Sequence, residues 1–363
     1  MISSENEQPE VFAYKSTEKD FSLQTKRLAD SLDKLTAISR ELAGPFIQEL
    51  KPSIAITLKW KFDYLTKTQE SPFLLQQDID YWIGFLEALK DLLKHNWFYA
   101  QPANNQKDPW VRTKEAFNYM WPRNTKKGNF EISLKMAKSR VNQIVSMIPE
   151  NWMNGKSILD VGCGPGRYIS AFLDYKPAKA VGLDMGLEII RENKRRFTSQ
   201  PYVQFLTGHL GALPFEDSSF DFVVSAGVIH HASDPIEKTI REHARVLAKN
   251  GYFFIYIAGQ GGLELKMWEF VRNFLNDVPI EDMFRRFNGK IHPLRLQGML
   301  DHSYGEYQQT SRSDCERWLS NCFTSIQRVS GVTGLDVTPE LYKNDIYFES
   351  RFGTGNLRYL CKK

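Results

Sequence analysis

Apolar and polar positions change their rhythm twice along the chain. Residues 1–20 open on a polar, acidic stretch and read as a disordered or weakly held lead-in. From about residue 21 to residue 110 the pattern is helical. Leu28, Leu32, Leu35 and Leu42 keep a helical spacing, and Gly44-Pro45 supplies a stop signal. Trp82, Phe85, Leu86, Leu89, Leu92 and Leu93 form a second apolar stripe, the mark of a helix that packs on another helix or domain. The stretch Gln101 to Asp108, closed by Pro109, reads as a hinge. Beyond it the pattern becomes that of a buried parallel sheet. Ile158-Leu159-Asp160-Val161 runs straight into a loop with glycine at Gly162, Gly164 and Gly166. Ala180-Val181-Gly182-Leu183 then ends in an acid, Asp184.

That loop points to a ligand. Alternating glycines after a buried strand let backbone amides approach a group that a Cβ would hold off. A carboxylate at the tip of the next strand is placed to accept hydrogen bonds from both hydroxyls of a ribose. The spacing argues against a nicotinamide dinucleotide. Its fingerprint is Gly-x-Gly-x-x-Gly, and the third glycine of that pattern falls here on Arg167. Asp160, just inside the strand, would repel a pyrophosphate. It suits a ligand with positive charge, and S-adenosylmethionine combines an ammonium, a sulfonium and a ribose.

The stretch resembles the class I S-adenosylmethionine-dependent methyltransferases, and later segments match that family in order. Gly208 to Phe215 resembles the loop after the third strand, which in the family holds adenine. Phe220 to Pro235 resembles the fourth strand and the segment lining the methyl-transfer site. Val246 to Ile255 resembles the turn into the fifth strand, and Asn356 to Cys361 the final, antiparallel strand. The segment Phe117-Asn118-Tyr119-Met120-Trp121 resembles the Phe-x-x-x-Trp element of a bacterial subgroup. That subgroup also carries arginine after the third glycine and a Gly-Val-Leu-His-His-like fourth motif, as Arg167 and Gly227 to His231 here. The resemblance implies an α/β fold: a Rossmann-like, seven-stranded methyltransferase domain over residues 111–363, preceded by a helical N-terminal domain over 21–110. A helical insertion of about residues 259–315 follows the fifth strand.

The resemblance also implies site residues. The cofactor set is Asp160, Gly162, Cys163, Gly164, Gly166, Asp184, Met185, His209, Leu210 and Gly227. Trp121 is either a core aromatic or a lid whose ring faces a sulfonium. His209 stands where the family usually has an acid that accepts from the adenine amine. A neutral imidazole nitrogen can take that bond, and the Leu210 amide remains available to the base. His230 and His231 leave the fourth strand beside the acceptor pocket, and either can serve as general base or be a satisfied structural histidine. Asp301, His302 and Tyr304, in the insertion, are candidate acceptor contacts.

Composition narrows the partners. A net charge of +4 on 363 residues does not by itself suggest nucleic acid. The basic group Arg123, Lys126, Lys127, Lys135, Lys138 and Arg140 reads as a solvated helix face before an anion or RNA site. No apolar run approaches the roughly 20 residues that span a bilayer. The polar, acidic start is unlike a signal peptide. Four cysteines without C-x-x-C spacing predict a reduced cytoplasmic protein with neither disulfide nor zinc site. The Asn/Asp-Pro-Pro-Tyr motif of amino-methylating enzymes is absent after the fourth strand. No Pro-Cys or Thr-Cys pair offers the nucleophile of cytosine-C5 methylation. The expected activity is therefore metal-free methyl transfer from S-adenosylmethionine to a small-molecule acceptor, oxygen before nitrogen, carbon or sulfur. Two alternatives stand beside it: a protein- or RNA-modifying enzyme docking through the helical N-terminal domain, and an inactive nucleoside-binding regulator. A homodimer through that helical domain is a further expectation.

Overall fold

The computed structural model describes residues 11–42, 45–94, 109–124, 129–291, 293–332 and 336–363. Five helices come first: α1 (Val11–Glu41), α2 (Pro45–Lys67), α3 (Leu75–Lys94), α4 (Pro109–Asn124) and α5 (Asn129–Val145). Strands and helices then alternate as β1 (Ser157–Val161), α6 (Arg167–Phe172), β2 (Lys179–Asp184), α7 (Leu187–Arg196), β3 (Val203–Thr207), β4 (Phe220–Ala226), α8 (Ile236–Val246) and β5 (Leu247–Ala258). After these come α9 (Gly262–Phe274), α10 (Ile280–Phe287), α11 (Pro293–Tyr304), α12 (Arg312–Ser320), β6 (Ser325–Arg328), α13 (Phe348–Phe352) and β7 (Asn356–Lys362). Among the described residues no helix is long and apolar enough to cross a membrane. All four cysteines are free thiols.

The chain divides into two compact units. One comprises residues 1–104, 261–277 and 345–353, the other residues 105–260, 278–344 and 354–363. The expected helical domain of residues 21–110 is therefore only part of the first unit, which also takes α9 and α13 from far along the chain. Residues 1–10 of the expected lead-in and residues 101–108 of the expected hinge lie outside the described residues, and residues 11–20 already belong to α1.

In the first unit Leu28, Leu32, Leu35 and Leu42 are buried, as their spacing predicts. On α3 the buried line is Leu75, Ile79, Ile83 and Leu86, while Phe85 is exposed and Trp82 half-buried at its edge. The expected stripe is thus rotated, because the aromatics sit one position off the face that meets α1. Side chains of Leu92 and Leu93 lie outside the described residues. Two buried cations tie the late helices to the early ones. Lys59 on α2 pairs with Asp63, lies 3.9 Å from Glu264 of α9 and sits 4.5 Å over the Trp268 ring. Arg351 on α13 pairs with Asp345 and donates to Thr66 Oγ1 and the Glu70 carbonyl. A buried charge left without its partner costs several kcal/mol, so these pairs fix which helices assemble.

The second unit holds a seven-stranded sheet of order β3-β2-β1-β4-β5-β7-β6, in which only β7 runs antiparallel to its neighbours. This is the expected Rossmann-like sheet with its antiparallel last strand. Strand side chains alternate between two cores. Phe222, Val224 and Ala226 of β4 face α5 and α6 with Val141 and Phe172, whereas Val223 packs with Ile236 and Ile240 of α8. Each fully buried phenylalanine, such as Phe222, contributes about 1.5–3 kcal/mol. The strand order reverses between β1 and β4, and that switch point opens a crevice at the carboxyl ends of the strands.

The basic group near α5 is not all solvated. Arg140 is buried and pairs with the buried Asp336 at 2.6 Å, and Arg358 of β7 lies 3.4 Å from the same carboxylate. Burial pushes the Asp336 carboxyl up, but the two guanidiniums outweigh it and hold the acid below its ordinary value. The sequence shows no sign of this, because the acid stands about 200 residues away in a second insertion, between β6 and β7. Lys126 and Lys127 lie outside the described residues, and Lys138 is a surface pair with Asp174.

Candidate active site

The glycine loop leaves β1 under close constraint. The amides of Gly162 and Cys163 both donate to the Leu183 carbonyl of the neighbouring strand, at 2.7 and 3.0 Å. Gly162 has φ 74°, and a Cβ there would meet Val228 at 2.3 Å. At Gly164, φ 48°, the indole of Trp121 lies 3.6 Å from where a Cβ would stand. From outside, Asn193 Nδ2 donates to the Gly164 carbonyl at 2.7 Å and Arg196 to the Pro165 carbonyl at 2.8 Å. Neither brace was foreseen from the sequence. Both come from α7, and a lone Asn or Arg on a helix carries no motif. Cys163 is buried and its thiol pushed well above the ordinary value by burial, so it is inert packing.

Two acids stand at the crevice. Asp184, ending β2, accepts from Gly164 N at 2.8 Å through Oδ2 and from Gly186 N at 2.9 Å through Oδ1. Burial raises its pKa, and the amides of Gly186, Gly164 and Met185 oppose the rise. A carboxylate has about four lone-pair sites, so each oxygen can take a further donor. Asp160, one residue before the end of β1, is 2% exposed, and its Oδ2 has no partner among the described residues. Burial pushes its carboxyl up to about 8, against the opposing charge of Arg167. Met185 follows Asp184 and is half-buried.

Helix α4 carries a ladder over this crevice. Thr113, Phe117 and Trp121 recur every fourth residue, so they share one face. Thr113 Oγ1 accepts from Glu306 N at 2.9 Å, the Phe117 ring meets His231 edge-on at 5.0 Å, and Trp121 covers Gly164 and the Arg167 guanidinium, 5.7 Å from its centroid. Asn118 Oδ1 points at Gly186 and, buried, has no donor among the described residues.

The two histidines are not equivalent. His230 Nδ1 accepts from Ala258 N at 3.2 Å, and its ring stacks on Tyr307 at 5.0 Å. Its pKa lies well below the ordinary value because of burial, then the neighbouring His231 and His302. His231 instead uses Nδ1–H to donate to the Glu306 carbonyl at 2.7 Å, which fixes the tautomer and leaves Nε2 as the acceptor. That Nε2 stands 3.5 Å from Asp301 Oδ1. Burial pushes the Asp301 carboxyl up to about 7, again against Arg167. Tyr307, which touches both rings, was missed by sequence reading because one tyrosine in a loop gives no signal.

The remaining candidates sort by contact. Gly227, φ 78°, donates to the Tyr256 carbonyl at 2.8 Å beside the Tyr256 ring. His209 is half-exposed, and its Nδ1 accepts from Gly211 N at 3.2 Å, so the neutral ring presents Nε2–H as a donor rather than an acceptor. An acid does reach this loop from elsewhere: Asp234 Oδ2 lies 3.5 Å from His209 Nδ1. Leu210 is buried beside it. His302 is turned to the Gly298 carbonyl of its own helix at 2.7 Å. The Tyr304 hydroxyl is committed to the Val278 carbonyl at 2.8 Å, with Arg112 over the ring, so it faces into the protein.

Residues 159–255 match the family model described as a methyltransferase domain. Residues 159–255 thus form a methyltransferase domain, set on the seven-stranded sheet described above. The chain is 33% identical over 111 residues to a tRNA U34 carboxymethyltransferase of Campylobacter curvus, covering 30% of this chain and 37% of that protein. It is 31% identical over 135 residues to a fatty-acid O-methyltransferase of Mycolicibacterium smegmatis, covering 37% and 47%. The chain spans less than half the length of these relatives. The solved structure of YcgJ from Bacillus subtilis shares 20% identity, covers 61% of this chain and 98% of its own, with a TM-score of 0.41. The domain's cofactor suits the residues present. Asp160 Oδ2 and Asn118 Oδ1 are shielded acceptors without a donor among the described residues, and the glycine loop keeps its backbone open beside them.

Proposed function

We propose that the chain transfers a methyl group from S-adenosylmethionine to a hydroxyl of a small-molecule acceptor, with His231 as general base. The observation that carries this reading is the orientation of His231. Its Nδ1–H is anchored on the Glu306 carbonyl, and its Nε2 stands 3.5 Å from Oδ1 of the half-buried acid Asp301, whose carboxyl is pushed up to about 7. His231 is preferred to His230 in this reading, because His230 Nδ1 accepts from the Ala258 amide and burial disfavours the charged form of His230.

In this reading Asp184 holds the ribose and Asp160 the ammonium, while Trp121 and Asn118 cover the methionine end. The cofactor, when bound, supplies the activated methyl. The acceptor oxygen forms its bond to the methyl carbon as the carbon–sulfur bond breaks, its electron pair passing to sulfur. His231 Nε2 takes the hydroxyl proton, and Asp301 balances the imidazolium. A positioned base contributes about 10²–10⁴ in rate. Phe117 and Tyr307 hold the imidazole between them, which keeps Nε2 in one direction.

The oxygen acceptor is in keeping with the name of the fatty-acid O-methyltransferase. An RNA or protein acceptor is supported by the tRNA-modifying relative, whose similarity covers 37% of its length. Incubating extract fractions with the enzyme and deuteromethyl-labelled cofactor distinguishes them. Label in a low-mass product that is lost in His231→Asn supports the proposal, and label in RNA or protein replaces it.

A further inference from the structure

Arg358 of β7 carries a hydrogen-bonding edge that no described residue uses. Its Nη1 donates to the Ser330 carbonyl at 2.7 Å and lies 3.4 Å from Asp336 Oδ2. The opposite edge, Nε and Nη2, is fully buried and has no acceptor among the described residues. Those two N–H groups point the same way, as the fork that takes a carboxylate through two parallel bonds. Two further donors nearby are in the same condition: Nε of Arg140 on α5, and the hydroxyl of Tyr168 on α6, whose ring belongs to the same core as Leu360 of β7. Both residues are more than nine-tenths buried. Buried donors without an acceptor are costly, and most so on a charged group. Moreover, two guanidiniums share the one Asp336 carboxylate, at 2.6 and 3.4 Å, so among the described residues this cluster is short of one negative charge.

The fork stands at the crevice end of the sheet. Ala226, Tyr256 and Arg358 are register partners across β4, β5 and β7. Gly227 follows Ala226, and a Cβ there would meet the Tyr256 ring at 3.5 Å, so that ring lies between the crevice turn and the fork. The Arg140 guanidinium is 5.8 Å from the same ring. Tyr256 is half-buried while the donors behind it are closed to solvent, so an entering carboxylate takes the place of this ring. The cofactor does not supply that group. Its ammonium and carboxylate share one carbon, and Asp160, which receives the ammonium, is on β1. Strands β1 and β7 are three spacings apart, roughly 14 Å, and Ser330 and Asp336 hold the guanidinium on the β7 side. A carboxylate's single charge and planar pair of oxygens match one missing charge and one planar fork. We propose that the acceptor carries a carboxylate apart from the methylated hydroxyl, bound by the Nε–Nη2 fork of Arg358 with Arg140 and Tyr168 as further donors. This rests on the methyl-transfer reading above.

Two measurements on the full-length protein test it. The deuteromethyl-labelled product should be held by an anion exchanger at pH 7 and gain one amine on carbodiimide coupling. A product without a free carboxylate overturns the proposal. Arg358→Lys keeps a charge beside Asp336 but loses the fork, so KM for that acceptor should rise about tenfold or more while calorimetry with S-adenosylhomocysteine gives the parental affinity. A parental KM, or an equal loss of cofactor affinity, overturns the proposal. The second measurement needs no acceptor and compares sodium acetate with acetamide in sodium chloride at equal ionic strength. Acetate should raise the melting temperature of wild type, acetamide should not, and Arg358→Lys should lose the gain. Equal curves for acetate and acetamide, or a gain kept in the variant, overturn the fork. If the variant does not fold, the product's carboxylate and the wild-type curves decide. Cofactor binding with no labelled product would refute the methyl-transfer reading, and the acetate comparison would still report on the fork.

Discussion

Replacing Asp184 separates two jobs that one carboxylate performs. In the structure it accepts from Gly164 N at 2.8 Å and Gly186 N at 2.9 Å, and in the proposed complex it also accepts from two ribose hydroxyls. Hydrogen bonds to a charged group contribute about 1.5–3 kcal/mol each, so losing the two ribose bonds in Asp184→Ala should weaken binding by about 3–6 kcal/mol. That is roughly 10²–10⁴ in Kd. The same change leaves two shielded amides without an acceptor, at about 1–3 kcal/mol each. Hence the variant should also melt lower, by about 5 °C or more for a domain of this size. Asp184→Asn keeps one acceptor oxygen and should lose less stability than affinity. Calorimetry with S-adenosylhomocysteine beside thermal denaturation reads both quantities. Parental affinity in Asp184→Ala would refute the ribose assignment, and a lowered melting point with unchanged affinity would reduce Asp184 to a loop brace.

Two further expectations concern stability. Asp160 has a folded pKa of about 8 against 3.8 for an ordinary aspartate, so the folded state keeps a proton that the unfolded chain releases. Its contribution is fully present below about pH 4 and is lost as pH rises to about 8, and Asp301, at about 7, acts in the same direction. The melting temperature should therefore fall less across about pH 5–8 in Asp160→Asn than in wild type, and parallel curves would contradict the assignment. Truncation to residue 105 removes α1 to α3 and leaves Glu264, Trp268 and Arg351 without Lys59, Thr66 and Glu70. Such a protein should expose α9 and aggregate or bind a hydrophobic dye, and a monodisperse truncated protein of parental stability would show that the late helices stand without the early ones.

Local chemistry was legible in the sequence where a residue's role depends on its immediate neighbours. The glycine loop, Asp160 just inside the end of β1, Asp184 at the end of β2, the leucine spacing of α1 and the antiparallel last strand are of that kind. What escaped depends on contacts between distant parts of the chain. Arg140 looked solvated because its partner Asp336 follows about 200 residues later. The helical unit looked like a contiguous N-terminal block because nothing in α9 or α13 announces that it joins α1 and α2. The different hydrogen bonds of His230 and His231 involve the Ala258 amide and the Glu306 carbonyl, which are backbone atoms and carry no residue signature. The offset of the α3 stripe has a simpler cause. Trp82 and Phe85 are large enough to look like core, yet the face toward α1 is set by Ile79, Ile83 and Leu86.

The measurement closest to the central claim is the fate of a deuteromethyl label. Wild-type enzyme, labelled S-adenosylmethionine and fractionated extract should yield a small molecule heavier by one deuteromethyl group, together with S-adenosylhomocysteine in equal amount. His231→Asn should bind the cofactor as wild type does and form that product about 10²–10⁴ times more slowly. Full product formation by the variant would remove the base and leave positioning as the source of rate. Intact cofactor binding by wild type, with no labelled product and no S-adenosylhomocysteine from any fraction, would contradict methyl transfer itself.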